Sequence, residues 1–392
     1  MESKHERDVI VVGAGPAGAM AATILAQKGH DVLLLDRAGF PRDKTCGDGV
    51  PAGVIERMWH YGMKEKVDAA FSHGEFYPLR SLSIVSPRGY LIRAPLPPGD
   101  EGAESCVAPR MCFDHVIQQH ALESGADFCV AQVKEPIIKE GKVVGVNARV
   151  NGSTAELRAR LVVGADGVTS AITRTLRQKT EQHEDDHRAV AIRAYIEDLA
   201  EIPHEVEFYL YKEIQPGYAW IFPIGENRAN IGLGMRLDQF RKRKLNLETM
   251  LREFLEMPAI KSRLKRGGQL HDMASWQLNF GSQPHLRYAF DGALLVGDAA
   301  GFINPITGGG IHNAIISSEL AAQVADKALQ TGDTSYEGLK QYEQLCHDEM
   351  WDGMVSSYRL QKWFMHFPSL VDILVRFGNQ SQTLTQTFLS KL

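Results

Sequence analysis

The chain has 392 residues, 44% hydrophobic and 23% charged, long enough for two or three domains around sizeable cores. A net charge of −5 with both signs interspersed lacks the basic footprint that neutralises phosphates, so nucleic acid is not an expected partner. Five cysteines (Cys46, Cys106, Cys112, Cys129, Cys346) form no CxxC pair, which argues against a disulfide framework or zinc site and fits a reducing cytoplasm; no metal is expected.

The charged start, Met1 to Arg7, runs straight into Asp8-Val9-Ile10-Val11-Val12 with no apolar signal core, and no apolar run reaches the roughly 18 residues that span a bilayer. Val9 to Val12 reads as a strand ending in Gly13-Ala14-Gly15-Pro16-Ala17-Gly18. Good helix formers from Pro16 to Lys28 and a second strand, Val32 to Leu35, complete a strand, helix, strand unit. In G-x-G-x-x-G the glycines permit a tight turn, let backbone approach a pyrophosphate and let helix pack on strand, beside positively polarised helix amides. Gly13, Gly15 and Gly18 hold those positions, and Asp36 closes the second strand where a carboxylate can accept from an adenosine ribose. The chain has no second such string in a βαβ context, so a nicotinamide donor would bind transiently, without its own Rossmann domain.

Next comes Lys44-Thr45-Cys46-Gly47-Asp48-Gly49, where Cys46 sits between Lys44 and two glycines in a loop whose backbone can approach a flat ring. Pro95 to Asp100 is the obvious flexible loop. Val107-Ala108-Pro109-Arg110-Met111-Cys112-Phe113-Asp114 opens a helix, and the strand Leu161 to Gly164 leads to Ala165-Asp166-Gly167, followed by Ser170 and Arg174. An Asp-Gly turn capping a helix is the plainer alternative for Asp166, and a solvated helix-start arginine the plainer alternative for Arg110.

Short β-branched or aromatic segments follow: Ala189 to Tyr195, Val206 to Tyr211, Tyr218 to Phe222 and Ala229 to Gly234, an expected antiparallel sheet inserted into the first domain. Side chains alternate along a strand, so Tyr218, Trp220 and Phe222 share one face, as an aromatic wall or an ordinary packing stripe. Leu247 to Glu256 reads as a helix and Ala293 to Val296 as a strand returning to the first sheet. Gly297-Asp298 follows, then Pro305 and Gly308-Gly309-Gly310, before an alanine-rich helix from Ile311 to Leu329 and further helices. Trp363 to Pro368, with Leu370, Ile373, Leu374 and Phe377 and nearby Arg359, Lys362 and Arg376, fits either packing over the second sheet or a membrane surface.

With these residues in place, the chain resembles the p-hydroxybenzoate-hydroxylase-like flavoproteins through Gly13 to Gly18, Ala165-Asp166-Gly167 and Gly297-Asp298. Within them it resembles the geranylgeranyl reductase family through Lys44-Thr45-Cys46-Gly47-Asp48-Gly49 and Tyr218-Ala219-Trp220-Ile221-Phe222-Pro223. The resemblance spans about Asp8 to Phe377. It implies an α/β fold: a discontinuous Rossmann-like FAD-binding domain of glutathione-reductase type (1–75, 105–185, 285–330), an inserted antiparallel β-sheet substrate domain (76–104, 186–284) and C-terminal helices (331–392).

The FAD contacts so implied are Gly13, Gly15, Pro16, Ala17, Gly18, Asp36, Arg37, Cys46, Gly47, Asp48, Arg110 toward the diphosphate, Val133, Asp166, Gly167, Asp298 at the ribityl chain, Pro305, Gly309, Gly310 and Ile311. Tyr218, Trp220, Phe222 and Pro223 would meet the substrate, and Cys46, Tyr218 and Trp220 would act in catalysis. The implied activity is saturation of isoprenoid C=C bonds by FADH2, reloaded by NAD(P)H, ferredoxin or a quinol. A thiol of ordinary pKa about 8.5 is mostly protonated at neutral pH, so Cys46 or a water held near it can donate a proton, whereas a depressed pKa would make it a thiolate; a small buried hydrophobe is the plainer reading. A flavin monooxygenase and a non-catalytic flavin or lipid carrier share most of these motifs, whereas a halogenase would carry W-x-W-x-I-P in place of Tyr218 to Pro223. A lipid or other hydrophobic small molecule is the expected partner, in the cytoplasm or against a membrane, and the oligomeric state stays open.

Overall fold

A computed structural model of the protein describes residues 6–178, 181–200 and 203–378. The strand Arg7–Val12 lies inside a seven-stranded sheet, flanked in parallel by Val32–Asp36 and Ser153–Gly164; Asp127–Lys139 and Ala293–Leu295 extend it in parallel. A parallel strand covered on both faces needs no polar alternation, which is why Val9 to Val12 reads as one apolar run. The helix Pro16–Gln27 starts on a proline, whose missing N–H costs nothing there, and Gly29 at φ 87 follows its end. Asp127–Lys139 and Ser153–Gly164 overrun the parallel region and join Lys142–Val150 in an antiparallel meander.

The second sheet orders its strands Leu264–Asn279, Arg188–Leu199, Arg228–Arg236, Gly217–Gly225, Glu205–Tyr209, Ser81–Val85, Leu91–Pro95. The expected antiparallel sheet needs one correction: Glu205–Tyr209 and Ser81–Val85 run parallel. These strands come from separate excursions of the chain, so no tight hairpin dictates their relative direction. Pro95 to Asp100 is also less free than its composition predicts. Leu96 N–H donates to Arg80 O at 2.9 Å, and Glu101 N–H just beyond donates to Glu56 Oε1 at 2.6 Å.

One face of this sheet carries Ala219, Ile221, Ile231, Leu233 and Met235 against Met250, Leu251 and Phe254 of the helix Leu247–Glu256, whose Asn246 side chain caps Thr249 N–H. Burying each such large side chain contributes about 1.5–3 kcal/mol, and Phe254→Ala would cost about 3–5 kcal/mol. The opposite face presents Tyr218, Trp220 and Phe222 toward the first sheet. Gly232 stands opposite Trp220, where an added Cβ would come within 2.3 Å of the indole, so glycine makes room for the ring.

Helices Asp352–His366 and Pro368–Gly378 close the far side, with Val371, Val375 and half-buried Phe364 packed on Ile84 and Ile92. The expected helical region beyond residue 378 lies outside the described residues, as do the side chains of Met365, Pro368, Leu370 and Phe377. Among the described residues no helix is long and apolar enough to cross a membrane.

Candidate active site

A cavity of about 1060 Å³ runs between the two sheets. At one end the wall is Gly13, Gly15, Pro16, Ala17, Asp36, Arg37 and Val133. Gly13 and Gly18 are glycine for packing reasons, since a Cβ on Gly13 would fall 2.4 Å from Ala165 O and one on Gly18 1.7 Å from Gly13 O. Gly15 is different. Its added Cβ would meet nothing nearer than Arg42 at 3.6 Å and Arg110 at 3.8 Å, so this glycine keeps a face open in the cavity. Gly18 does not line the cavity; it packs its helix against Gly13 and Ala165, the role expected of the third glycine.

Asp36 accepts from Ala14 N–H and Ala38 N–H and pairs with Arg42 at 3.3 Å. Arg110, placed by resemblance at the diphosphate, is buried and grips Asp114 through two hydrogen bonds of 2.6 and 2.7 Å, while Arg42 adds a third to the same carboxylate at 2.9 Å. Burial alone would lower the Arg110 pKa; Asp114 and the neighbouring Cys46 outweigh it and raise the value. Asp166 accepts from Ser170 Oγ and from Ala171 N–H, so it caps the helix Ala171–Leu176 while it and Gly167 line the cavity.

In the middle, the Asp43 to Asp48 loop faces Asp298, Pro305 and the Gly308 to Gly310 turn. Lys44 Nζ lies 3.5 Å from Asp298 Oδ2. The helix Ile311–Thr331 begins at Gly310 with no side-chain cap, and Gly309, Gly310 and Ile311 all line the cavity, so its first amides are left for an acceptor there.

The loop is tied to the second sheet at both ends. Arg193, almost fully buried, donates to both oxygens of Asp43 at 2.7–2.8 Å and to Lys44 O at 3.3 Å. Asn230, fully buried, donates to Cys46 O and to Asp48 Oδ2, both at 2.8 Å, and accepts from Trp220 Nε1 at 2.9 Å. Arg193, Asn230 and Arg42 were not among the residues expected from the sequence. A lone amide inside the apolar run Ala229-Asn230-Ile231 was the signal for Asn230, because a buried amide must find partners.

Tyr218, Trp220 and Phe222 all line the cavity, with Phe208 packed edge-on against Tyr218 and Phe222 at 5.3 Å each. Pro223 does not, since it follows Phe222 on an alternating strand. Tyr218 hydroxyl donates to Thr307 O, and burial pushes its pKa up, so the ring rather than the hydroxyl faces the cavity's chemistry. Past the aromatics the lining turns apolar: Leu82, Ile84, Val206, Phe208, Leu210, then Phe364 and Val371.

A family model described as FAD binding domain matches residues 6–356. Digeranylgeranylglycerophospholipid reductase 1 of Methanopyrus kandleri is 36% identical over 358 residues, 88% of each chain. The chain belongs to the geranylgeranyl reductase family of FAD-dependent oxidoreductases. Thermoplasma volcanium digeranylgeranylglycerophospholipid reductase is 31% identical to this reductase over 344 residues, 87% of this chain and 83% of the relative. The crystal structure of a geranylgeranyl bacteriochlorophyll reductase-like protein from Thermoplasma acidophilum superposes with TM-score 0.85 at 27% identity, over 96% of this chain and 92% of that one. A flavin-dependent brominase, at TM-score 0.75 and 21% identity over 96% and 94%, shares the fold alone. The open face of Gly15 and the uncapped helix at Gly310 fit FAD: one leaves room for a pyrophosphate, the other offers donors to the flavin's polar edge.

Proposed function

We propose that this reductase saturates C=C bonds in the isoprenoid chain of a lipid, quinone or pigment precursor. The observation that supports this reading most is one continuous cavity, passing from the glycine loop, past Cys46 and the aromatic wall, into the apolar slot at Leu210 and Phe364. Reduced FAD, when bound, supplies the hydride.

The protein's part is to hold, dry and polarise. Gly13, Gly15, Asp36, Arg37, Asp166, Asp298 and the Gly308 to Gly310 turn would hold the cofactor, and Cys46, Gly47 and Asp48 would border its ring. An isolated C=C is unpolarised, so reduction needs a proton on one carbon and leaves positive character on the tertiary neighbour. Tyr218, Trp220 and Phe222 exclude water and can stabilise that charge by about 0.5–2 kcal/mol through their ring faces. The indole N–H and phenol O–H are already committed to Asn230 and Thr307, which leaves those rings to act through their faces. The Cys46 thiol stands on the cavity wall as a candidate proton donor.

A lipid would enter where exposed Trp363, Phe367, Ile373 and Leu374 adjoin Arg359, Lys362 and Arg376, on the outer side of the helices that carry Phe364 and Val371. Equal liposome flotation of the full chain and of one ending before Trp363 would count against that entrance. For the reaction itself, the protein is loaded with chemically reduced FAD and mixed without oxygen with prenylated lipids. Reoxidation with a gain of two hydrogens per double bond is expected. Oxygen uptake matched by a hydroxylated product, with no anaerobic reoxidation, would overturn the reading in favour of a monooxygenase.

A further inference from the structure

Asp48 is fully buried at φ 64, two residues from Cys46 and on the cavity wall. Its oxygens are treated unequally. Oδ2 accepts from Tyr195 OH at 2.7 Å and Asn230 Nδ2 at 2.8 Å, whereas Oδ1 is buried with no hydrogen-bond partner among the described residues. A carboxylate spreads charge over both oxygens, and a buried charged oxygen without a donor is costly; a neutral acid carries hydrogen on one oxygen and accepts through the other. The asymmetry fits the neutral acid, with its hydrogen on Oδ1.

The groups around it leave that state accessible. Tyr195 and Arg193 face Asp48 from the strand Arg188–Leu199, Arg110 and Cys112 from the helix Arg110–Glu123, and Cys46 from its own loop. Arg193 is paired with Asp43 and Arg110 with Asp114, so their pull on Asp48 is shared with those carboxylates. Burial pushes the Asp48 carboxyl up to about 6, against the pull of Tyr195, Asn230 and the two arginines.

We propose that Asp48 is a further proton source of this site beside Cys46, a neutral carboxylic acid positioned through Oδ2 by Tyr195 and Asn230 and bearing its proton on Oδ1, buried behind the cavity wall. The inference rests on the alkene-reductase reading. For each double bond, a hydride from reduced FAD forms one C–H bond and a proton forms the other. That proton would come from the Asp48 carboxyl, which is left as carboxylate and takes up a proton from water before the next double bond.

Infrared difference spectra of the FAD-loaded protein test the protonation state directly. A protonated-carboxyl C=O band is expected at pH 5, lost on titration through about pH 6 and missing from Asp48→Asn. Tyr195→Phe removes a donor that favours the ionised form, so the midpoint should move up; this variant keeps the test open if Asp48→Asn does not fold. In anaerobic turnover, the wild-type rate should fall above the same midpoint, while Asp48→Asn is at least tenfold slower and flat with pH. A pH 5 band unchanged in Asp48→Asn, an unmoved midpoint in Tyr195→Phe, or a wild-type pH profile in Asp48→Asn overturns the proposal. If the wild type reduces no alkene while the Asp48 band is present, the fault lies with the alkene-reductase reading instead.

Discussion

Trp220 and Asn230, on adjacent strands, are joined by an indole N–H donated to the amide oxygen at 2.9 Å, and the same amide donates to the backbone that carries Cys46. One buried side chain therefore couples the aromatic wall to the thiol loop.

Asn230→Leu should break that coupling. It takes the Asn230 partner from the Trp220 N–H and the Cys46 carbonyl and leaves Asp48 Oδ2 with Tyr195 alone, at about 1–3 kcal/mol per buried unsatisfied group. Expected are a lower melting temperature, retained FAD absorbance and at least a tenfold loss of alkene reduction. Unchanged turnover would show that the wall and loop are held without the amide.

The two glycines of the first loop should fail in different ways. Gly18→Ala drives a methyl to 1.7 Å from Gly13 O, against backbone that cannot yield, so it should not give folded protein. Gly15→Ala meets nothing within 3.5 Å, so it should fold with near-native melting and take up FAD poorly. Thermal melts paired with flavin titration check both, and full FAD affinity in Gly15→Ala would move the pyrophosphate elsewhere.

Cys46→Ala should keep bound FAD and lose alkene reduction by orders of magnitude, whereas Asp298→Ala, which also frees Lys44 from its 3.5 Å partner, should lose flavin. The flavin-to-protein absorbance ratio and anaerobic turnover separate the two outcomes. A fully active Cys46→Ala removes the thiol from the reaction.

Asp48 also predicts a pH dependence of stability. Its pKa is raised in the folded state, from 3.8 to about 6, so its stabilising contribution is complete below the unfolded value and is lost as pH rises through the folded one. Two units correspond to about 3 kcal/mol. Asp48→Asn should therefore gain relative stability between pH 5 and pH 8, read as a shift in urea midpoint. An equal offset at both values would mean that Asp48 ionises as freely when folded as when unfolded.

Much of the site was legible in the chain because its residues are backbone-dictated. Gly13, Gly15 and Gly18 are read from spacing, and the alternation of Tyr218, Trp220 and Phe222 follows from strand geometry. Side-chain partners were less legible. The spacing that marks Arg110 does not show that Asp114, one helical turn on, shares its guanidinium, nor does the alternation that marks Tyr218 show that its hydroxyl is held by Thr307. Asn230 stood in plain view between Ala229 and Ile231, but an isolated amide does not announce which loop, remote in sequence, it will satisfy.

The amino-acid order by itself determined the strand, glycine turn and helix units, because local sterics and periodicity act over a few residues, and it carried the motifs whose resemblance implied the family and FAD. Tertiary structure alone decided which faces meet: that the Cys46 loop hangs from Arg193 and Asn230 of the second sheet, that Asp48 is left with one unpartnered oxygen, and that the cavity continues to Phe364 and Val371. Those outcomes depend on burial and on hydrogen bonds between segments remote in sequence, and burial exists only once the chain has packed.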